Sequence, residues 1–278
     1  MPASLAVPWG RAPVPGDALI ERRIRRGLRA RVVGSTIVSL RRASSTNDVA
    51  MWLAARDCPD GLVAVAESQW AGRGRHRRAW HSPPGTGIWC SIVLRPACPV
   101  AKAQALTFLG AVAAARAVRG LLDVPVALKW PNDLVLGGRK LGGVLTEVGA
   151  AGGVIRHAVV GIGLNANLSP ADFPPSLRET AASLRSVLGR RVDRAALLRR
   201  TLEELDRRYL DLKRDGPGAL IAEAGGLMAM AGSIIRVREH ARALEGTVMG
   251  LDDDGALLVR LVAGSVARLR AGDVTILR

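Results

Sequence analysis

Apolar runs of strand length recur through the first part of the chain. Residues 62–67 and 88–94 are almost entirely apolar, which predicts two strands buried on both faces. Residues 32–40 predict an earlier strand, and the runs at 140–148 and 155–164 predict an antiparallel pair. We therefore expect a β-sheet in this part of the protein.

Three longer stretches have helical patterns. Residues 100–122 are apolar and poor in charge, which predicts a helix buried on more than one side, whereas residues 18–31 predict a basic surface helix. Residues 180–223 predict a helical region with an apolar stripe at intervals of four and three residues. The stripe consists of Leu198, Leu202, Leu205, Tyr209 and Leu212. Core packing explains this stripe better than a partner does.

The last part of the chain has a different pattern. From residue 233 onward, short strands alternate with turn signals such as the one at 252–255, which predicts a small SH3-like β-barrel. The chain is thus divided into an N-terminal extension at 1–35, a main domain at 36–228 and a C-terminal domain at 229–278. The predicted fold class is α+β, with a mixed sheet flanked by helices.

Charge implies an anionic partner. The 278 residues carry a formal net charge of +16, and arginine far outnumbers lysine, of which there are only four. The three cysteines fit neither metal nor disulfide spacing, so we expect reduced thiols in a cytoplasmic protein. No apolar run approaches the ~18 residues of a membrane span. Residues 1–16 contain four prolines and should be disordered.

One basic loop concentrates this charge. Residues 67–80 hold four arginines within six residues, and interleaved glycines free the backbone for unusual dihedral angles. The arginines are Arg73, Arg75, Arg77 and Arg78. Because guanidinium groups bind carboxylate and phosphate oxygens, the loop can wrap an anion and should be mobile until a ligand neutralises it. Charge alone favours a solvated face or a nucleic-acid patch, but the flanking strands indicate part of a site.

Polar candidates also precede the loop. Ser45 is predicted to be the N-cap of a helix, with Asp48 completing a capping box. The neighbouring Ser44, Thr46 and Asn47 are therefore candidate ligand groups as well as capping groups. Capping alone would account for this pattern.

A second polar cluster lies at 126–143. The pattern predicts a strand to Lys129, a Pro-Asn-Asp corner, a short strand, a hairpin at Gly137-Gly138 and a strand that restarts at Lys140. Two of the four lysines fall here, which indicates a need for compact point charges. The sequence contains no usual phosphate-binding or dinucleotide-binding glycine loop, and no Ser/His/Asp or His/Cys spacing of a hydrolase or metalloenzyme.

Six motifs follow one another in order. They are Ser44-Ser-Thr-Asn47, Gly72-Arg-Gly-Arg75 ending in Trp80, Ser82-Pro-Pro-Gly85, Lys129-Trp-Pro-Asn-Asp133, Arg139-Lys-Leu-Gly-Gly143 and Gly161-Ile-Gly-Leu-Asn165. Together they closely resemble the motifs of bacterial biotin protein ligases. The resemblance covers about residues 36–278, including Ala271-Gly-Asp-Val274 in the C-terminal domain. It implies a class II synthetase-like mixed sheet and an ATP-dependent biotin–protein ligase.

The resemblance also implies a reaction and a site. With Mg²⁺, biotin and ATP give biotinyl-5′-adenylate, and the biotinyl group then passes to a lysine of a biotin carboxyl carrier protein domain of acetyl-CoA carboxylase or a related carboxylase. The implied biotin contacts are Ser45, Thr46, Asn47, Gln69, Arg73, Gly74, Arg75 and Lys140. The implied ATP contacts are Arg75, Arg78, Trp80, Asn132 and Asn165. The implied catalytic residues are Arg73, Lys140 and Asp133, and Asp133 with Asn132 either faces magnesium-bound phosphate or orients the acceptor lysine.

Two positions depart from the family pattern. Trp70 stands where a second glutamine is common, and His76-Arg77 stands where a basic residue is followed by glycine. Residues 1–35 are too short for the winged-helix DNA-binding domain of repressor-type members. We therefore expect no such domain, no specific DNA binding, no membrane contact, and a monomer or weak homodimer.

Two alternatives stay open. One is a lipoate ligase of the same broad fold. The other, from a different class, is a basic nucleic-acid-binding protein, which the net charge and basic N-terminus favour. Against it stand the scarcity of aromatic residues for base stacking and the absence of a recognition-helix signature.

Overall fold

In the computed structural model, which describes residues 18–239 and 242–277, the chain folds into two β-sheets with helices around them. The larger sheet uses strands from Ile37 to Asn165, and the smaller one uses strands from Ile234 onward. The predicted disordered stretch at 1–16 lies outside the described residues.

The larger sheet is mixed, as predicted. Its strands are β1 (Ile37–Leu40), β2 (Val63–Ala66), β3 (Gly87–Leu94), β4 (Ala127–Lys129), β5 (Asp133–Leu136), β6 (Arg139–Ala151) and β7 (Val154–Asn165). Their order across the sheet is β1-β2-β3-β7-β6-β5-β4. β1 and β2 are parallel and the other pairs are antiparallel. Every residue of β2 and β3 is buried, which explains their continuous apolar sequences.

Helices pack on this sheet and on each other. They are α1 (Glu21–Arg25), α2 (Thr46–Ala54), α3 (Ala103–Leu122), α4 (Leu184–Leu188), α5 (Arg194–Asp215) and α6 (Gly218–Gly226). α3 crosses β6 and β7 and packs against α5. A Cβ atom on Gly110 would lie 2.8 Å from Val160 and 3.1 Å from Val144, so a glycine lets α3 approach the sheet this closely.

The apolar segment Val100–Leu122 corrects one expectation. It is long and apolar enough to cross a membrane, although the sequence analysis found no run of that kind. In this structure 67% of its most apolar stretch is buried inside the protein. Its apolar character follows from its place at the centre of the core, between the sheet and α5.

The helix predicted at 18–31 is wrong in length. α1 covers only five residues, because Arg26 is extended and Gly27 has a φ of +82°, which turns the chain out of the helix. Leu19 and Ile24 of this segment are buried in the main core. The segment is therefore a short helix and a turn docked on the domain.

The strand predicted at 32–40 begins late, at Ile37. The backbone N–H groups of residues 31–33 donate to the Asp206 carboxylate on α5, at 2.9, 2.8 and 2.8 Å. Because these donors are satisfied by a side chain, this part of the backbone does not join the sheet.

The helical region predicted at 180–223 consists of α4, α5 and α6. Gly189, with a φ of +70°, ends α4, and the Asp193 carboxylate accepts the N–H of Ala196 at 3.0 Å to cap α5. The predicted apolar stripe lies on α5, and all of it except Leu212 is fully buried. Core packing is confirmed as its role.

The C-terminal strands form a separate antiparallel sheet. They are β8 (Ile234–Glu239), β9 (Arg242–Leu251), β10 (Leu257–Leu261), β11 (Val266–Leu269) and β12 (Asp273–Ile276), in the order β11-β10-β9-β8-β12. The α+β class with a small second β domain is thus confirmed. Side-chain contacts join this domain to the rest; among them, Trp130 Nε1 donates to the Gly255 carbonyl at 3.2 Å, and Lys102 pairs with Asp254 at 2.7 Å. The boundary between 228 and 229 stays a prediction.

Candidate active site

A cavity of about 810 Å³ opens between the larger sheet, the basic loop at 67–80 and the C-terminal sheet. All thirteen residues that the family resemblance assigns to the site lie on its wall, whereas the candidates Ser44 and Arg77 do not. The thirteen residues are Ser45, Thr46, Asn47, Gln69, Arg73, Gly74, Arg75, Arg78, Trp80, Asn132, Asp133, Lys140 and Asn165. The C-terminal sheet adds Arg236, Arg238 and Asp273. The fold therefore gathers the predicted residues in one place.

The N-terminus of α2 forms one end of the cavity. Ser45 is extended and its hydroxyl accepts the N–H of Asn47 at 3.3 Å, which confirms the predicted N-cap. The capping-box role of Asp48 is wrong. Its carboxylate instead accepts from the Ser44 hydroxyl at 2.9 Å and from Arg73, whose positive charge is the stronger partner.

A neutral polar cluster lies beside this cap. Gln69 Oε1 accepts the backbone N–H of Thr46 at 2.8 Å, and its Nε2 donates to Ser82 Oγ at 2.9 Å. Ser91 Oγ, on β3, lies 2.7 Å from Thr46 Oγ1 and 2.6 Å from Asn47 Oδ1. Because these groups satisfy one another, their orientations are fixed before any ligand binds.

Asn47 is held from three sides. Its Nδ2 donates to Glu147 Oε2 at 2.6 Å and to the Leu145 carbonyl at 3.3 Å, and its Oδ1 faces Ser91. A Cβ atom on Gly161 would lie 2.1 Å from Asn47 Oδ1. This motif glycine therefore makes room for the Asn47 amide.

Arg73 is bound by two carboxylates. It pairs with Asp48 on α2 and with both oxygens of Glu147 on β6, at 3.1 and 3.0 Å. Burial alone would lower the pKa of Arg73, but the hydrogen bonds to Asp48 and Glu147 outweigh it and raise the pKa. The repulsion expected among the loop arginines is therefore offset here by carboxylates of the protein. The predicted mobility of the loop stays a prediction.

The other loop arginines have different surroundings. Arg75 NH1 lies 3.4 Å from both Asn132 Oδ1 and the Gly272 carbonyl, and burial lowers the pKa of Arg75. Arg78 is exposed and pairs with Asp273 of the C-terminal sheet. Arg77 is exposed, has a φ of +56° and does not belong to the cavity wall.

Lys140, on β6, supplies a point charge on the cavity wall. Its Nζ lies 2.7 Å from Asp133 Oδ1 and 5.4 Å from the centre of the Trp80 ring. Its backbone is fixed by bonds to residues 180 and 182, at 2.8 Å each. A short loop thus anchors the strand at the position where the lysine enters the cavity.

Tryptophan and amide side chains complete the wall. Trp80 lies over Gly163, where a Cβ atom would come within 2.7 Å of the indole, and meets Trp89 edge to face at 6.4 Å. Trp80 Nε1 is buried and has no hydrogen-bond partner among the described residues. Asn132 Nδ2 donates to the Val144 carbonyl at 2.8 Å. Asn165 Nδ2 donates to a backbone carbonyl at 3.0 Å.

Within the described residues, no group of three or more His, Cys, Asp or Glu side chains could hold a metal ion. Asp133 is a carboxylate on the cavity wall and Asn132 beside it carries an amide oxygen. Mg²⁺ prefers oxygen ligands and is commonly shared between one or two carboxylates and substrate phosphates. These residues fit Mg²⁺ only in that shared form.

Comparison with known proteins identifies the family. The Biotin/lipoate A/B protein ligase family matches residues 39–165, and the Biotin protein ligase C terminal domain matches residues 231–277. The bifunctional ligase/repressor BirA of Bacillus subtilis is 37% identical over 262 residues, which cover 94% of this chain and 79% of the relative. This chain belongs to the biotin protein ligase family.

Other relatives agree with this assignment. The biotin--[acetyl-CoA-carboxylase] ligase of Mycobacterium tuberculosis is 34% identical to this ligase over 224 residues, 79% of this chain and 80% of the relative. The solved structure of a biotin protein ligase from Aquifex aeolicus in complex with biotin and ATP has a TM-score of 0.75, at 24% identity, and covers 88% of this chain and 99% of that chain. The structural likeness shows a shared fold. Family and enzyme class are therefore as the motifs predicted.

Sequence reasoning did not find every polar residue that supports the ligase site. It missed Ser91, Glu147 and Asp273, each of which contacts a predicted site residue. Ser91 interrupts an apolar strand and Glu147 interrupts a strand that runs to Val148. A polar residue within a buried strand was the signal available for Ser91, and no comparable signal marked Asp273.

Proposed function

We propose that this chain joins biotin to ATP to give biotinyl-5′-adenylate and pyrophosphate, and then passes the biotinyl group to a lysine of a biotin carboxyl carrier protein domain. The acceptor is proposed to belong to acetyl-CoA carboxylase or a related carboxylase, since the Mycobacterium tuberculosis relative is named for it. The nucleophile of the second step is the acceptor's lysine. We place the enzyme in the cytoplasm, without a membrane or specific DNA partner, as a monomer or weak homodimer.

One observation carries this proposal: a single cavity holds a neutral hydrogen-bonding cluster next to a group of cations. Thr46, Asn47 and Gln69 form the neutral part, which suits the polar ring of biotin. Arg75 and Lys140 belong to the cationic part, which suits a carboxylate and a polyphosphate. Adenylation needs both parts together, because a carboxylate must approach a phosphate at one bond.

The proposed chemistry is electrostatic. Negative charge builds on the departing pyrophosphate, and each positioned cation contributes about 2–4 kcal/mol of transition-state stabilisation. Lys140, held by Asp133, is proposed to contact the biotin carboxylate and the adjoining phosphate. Arg78 is proposed to reach phosphate, and Trp80 to border the nucleotide. Arg73, Gly74 and Arg75 are proposed to close over the junction between biotin and the adenylate phosphate, and Asn165 is proposed to bind on the adenine and ribose side.

Mg²⁺ is proposed to bind together with the polyphosphate. Asp133 and Asn132 are the residues that would hold it, and they either face the magnesium-bound phosphate or orient the acceptor lysine. When bound, Mg²⁺ neutralises charge on the leaving pyrophosphate.

Isotope exchange between pyrophosphate and ATP tests the first step. We expect exchange that depends on biotin and Mg²⁺, followed by labelling of a biotin carboxyl carrier domain at its lysine. A carrier domain with that lysine changed to arginine is the control. Absence of both exchange and labelling would overturn the proposal.

A lipoate ligase is the second candidate, because the family that matches residues 39–165 includes both biotin and lipoate ligases. The match at 231–277 to a domain named for biotin protein ligases favours biotin. Exchange stimulated by lipoate and not by biotin would decide for the second candidate. The net charge of +16 also predicts weak, salt-sensitive association with nucleic acid.

A further inference from the structure

Glu147 connects two parts of the cavity that lie on different elements. Its Oε2 accepts from Asn47 Nδ2 at 2.6 Å, and both of its oxygens accept from Arg73 NH2, at 3.1 and 3.0 Å. Asn47 belongs to the neutral cluster on α2, and Arg73 belongs to the basic loop. The Glu147 carboxylate therefore links the neutral cluster, through Asn47, to the basic loop, through Arg73.

The position of Glu147 is set by the sheet and not by the loop. It lies on β6, where its backbone is paired with Val159 of β7. Its side chain is 33% exposed and does not belong to the described cavity wall, so it acts on a ligand only through its partners. β5 pairs with β6 only as far as Gly143, so β7 alone holds the backbone at this position, and the long β6–β7 pairing is a rigid support for such contacts.

The contacts of Asn47 make its orientation depend on Glu147. Both N–H bonds of the Asn47 amide are used, one by Glu147 and one by the Leu145 carbonyl. Its oxygen is thereby turned toward Ser91 and the space above Gly161. Without the carboxylate, this donor loses its charged acceptor, and the amide is held only by the Leu145 carbonyl and Ser91, which constrain its orientation less.

Asp48 provides an internal comparison. It also binds Arg73, but its other contact is the Ser44 hydroxyl and not Asn47. Neutralising Asp48 therefore weakens the contacts of Arg73 and Ser44 but not those of Asn47, whereas neutralising Glu147 weakens the contacts of Arg73 and Asn47 together. Comparing variants of the two carboxylates therefore separates the contribution of the basic loop to ligand binding from that of the neutral cluster.

We infer that Glu147 is a positioning residue of this enzyme, which orients the Asn47 amide toward the biotin ring and fastens the basic loop over the cavity through Arg73. The inference rests on the proposed function, because it uses the assignment of Asn47 to biotin. Glu147 transfers no proton and contacts no reacting atom. Its effect is to hold two binding elements in one arrangement.

The test compares Glu147→Gln, Glu147→Asp and Asp48→Asn with the wild-type enzyme in pyrophosphate–ATP exchange. For Glu147→Gln we expect the KM for biotin to rise about tenfold and biotinyl-adenylate to dissociate about tenfold faster, with the maximal exchange rate changed less than twofold to threefold. Asp48→Asn should speed adenylate dissociation while leaving the KM for biotin near wild type. Glu147→Asp keeps the charge but is one methylene shorter, so intermediate values are expected.

A readout without catalysis accompanies these measurements. Trypsin cleavage within residues 73–78, followed by mass spectrometry, should be faster in Glu147→Gln than in wild type, because Arg73 is no longer tied to β6. Glu21→Gln, which removes an exposed pair with Arg25 on α1, is the matched control and should leave every value unchanged.

The outcomes are distinct. Wild-type exchange tests the proposed function, whereas the ratio of variant to wild type tests Glu147. A Glu147→Gln enzyme with unchanged KM for biotin and unchanged loop cleavage overturns the inference. So does an identical pattern in Glu147→Gln and Asp48→Asn, since Glu147 would then act through Arg73 alone.

Discussion

Arg78 of the basic loop and Asp273 of the C-terminal sheet form an ion pair across the cavity, although they are 195 positions apart in the chain. Both side chains lie on the cavity wall, and both are well exposed, at 68% and 42%. Exposed pairs stabilise a fold by only about 0–1 kcal/mol, so this contact has little effect on folding. The pair is important for a different reason: the Asp273 carboxylate binds the Arg78 guanidinium and so competes with the phosphate that Arg78 is proposed to bind.

Replacing Asp273 with asparagine tests that competition. We expect Asp273→Asn to lower the KM for ATP about twofold to fivefold, because Arg78 no longer exchanges a carboxylate for a phosphate. The free energy of unfolding in urea should change by less than ~1 kcal/mol. Asp211→Asn, which removes an exposed pair with Arg214 on α5, is the control. A raised KM for ATP would show that Asp273 assists nucleotide binding.

The space above Gly161 makes a second prediction. A Cβ atom there lies 2.1 Å from Asn47 Oδ1, so Gly161→Ala must displace the Asn47 amide. We expect biotin to lose its stabilising effect in thermal shift, and the free energy of unfolding to fall by about 1–3 kcal/mol. Gly120→Ala on α3, where nothing lies within 4 Å, should be neutral or slightly stabilising. Full biotin stabilisation of Gly161→Ala would exclude Asn47 as a ring contact.

A third prediction concerns stability away from the cavity. The buried Tyr209 hydroxyl lies 3.0 Å from both Asp60 oxygens and accepts the backbone N–H of Arg95 at 3.0 Å. Burial and the Asp60 charge raise the pKa of Tyr209, so it stays a protonated donor. Tyr209→Phe should reduce the free energy of unfolding by about 0.5–1.5 kcal/mol in urea melts, with the KM for biotin unchanged. A change in that KM would contradict a purely structural role.

Acid sensitivity gives a fourth prediction. Hydrogen bonding from Arg208, opposed by burial and aided by Arg116, lowers the pKa of Glu223 below its ordinary value of 4.5. A carboxyl whose pKa is lower in the folded state stabilises the fold above the unfolded pKa and loses this effect as pH falls through the folded one. Unfolding free energy should therefore fall with pH below about 4.5 in wild type, and less steeply in Glu223→Gln. Equal slopes in urea melts across that range would contradict the pairing.

Local chemistry determined what could be predicted from the sequence. The Ser45 cap and the hairpin before Lys140 depend on neighbouring residues, and both were predicted correctly. The contacts of Asp206 with residues 31–33 and of Glu147 with Arg73 join distant segments. Such contacts depend on strand register and helix packing, which a single sequence does not specify.

The basic loop illustrates the same division. Its composition together with its flanking strands indicated part of a site, and three of its four arginines, Arg73, Arg75 and Arg78, line the cavity. The loop composition did not reveal that protein carboxylates already occupy Arg73 and Arg78. A charge count within one segment omits the opposite charges that the fold brings from elsewhere.

The bond from the Trp130 indole to the Gly255 carbonyl has a consequence for engineering. Trp130 lies on the wall of the cavity, and this wall contains residues of both sheets. The C-terminal domain is therefore part of the active site. Chimeras that exchange the C-terminal domain between relatives must therefore keep an indole donor at 130 and opposite charges at 78 and 273. A chimera that lacks these contacts would contain two correctly folded domains with a disrupted interface at the active-site cavity.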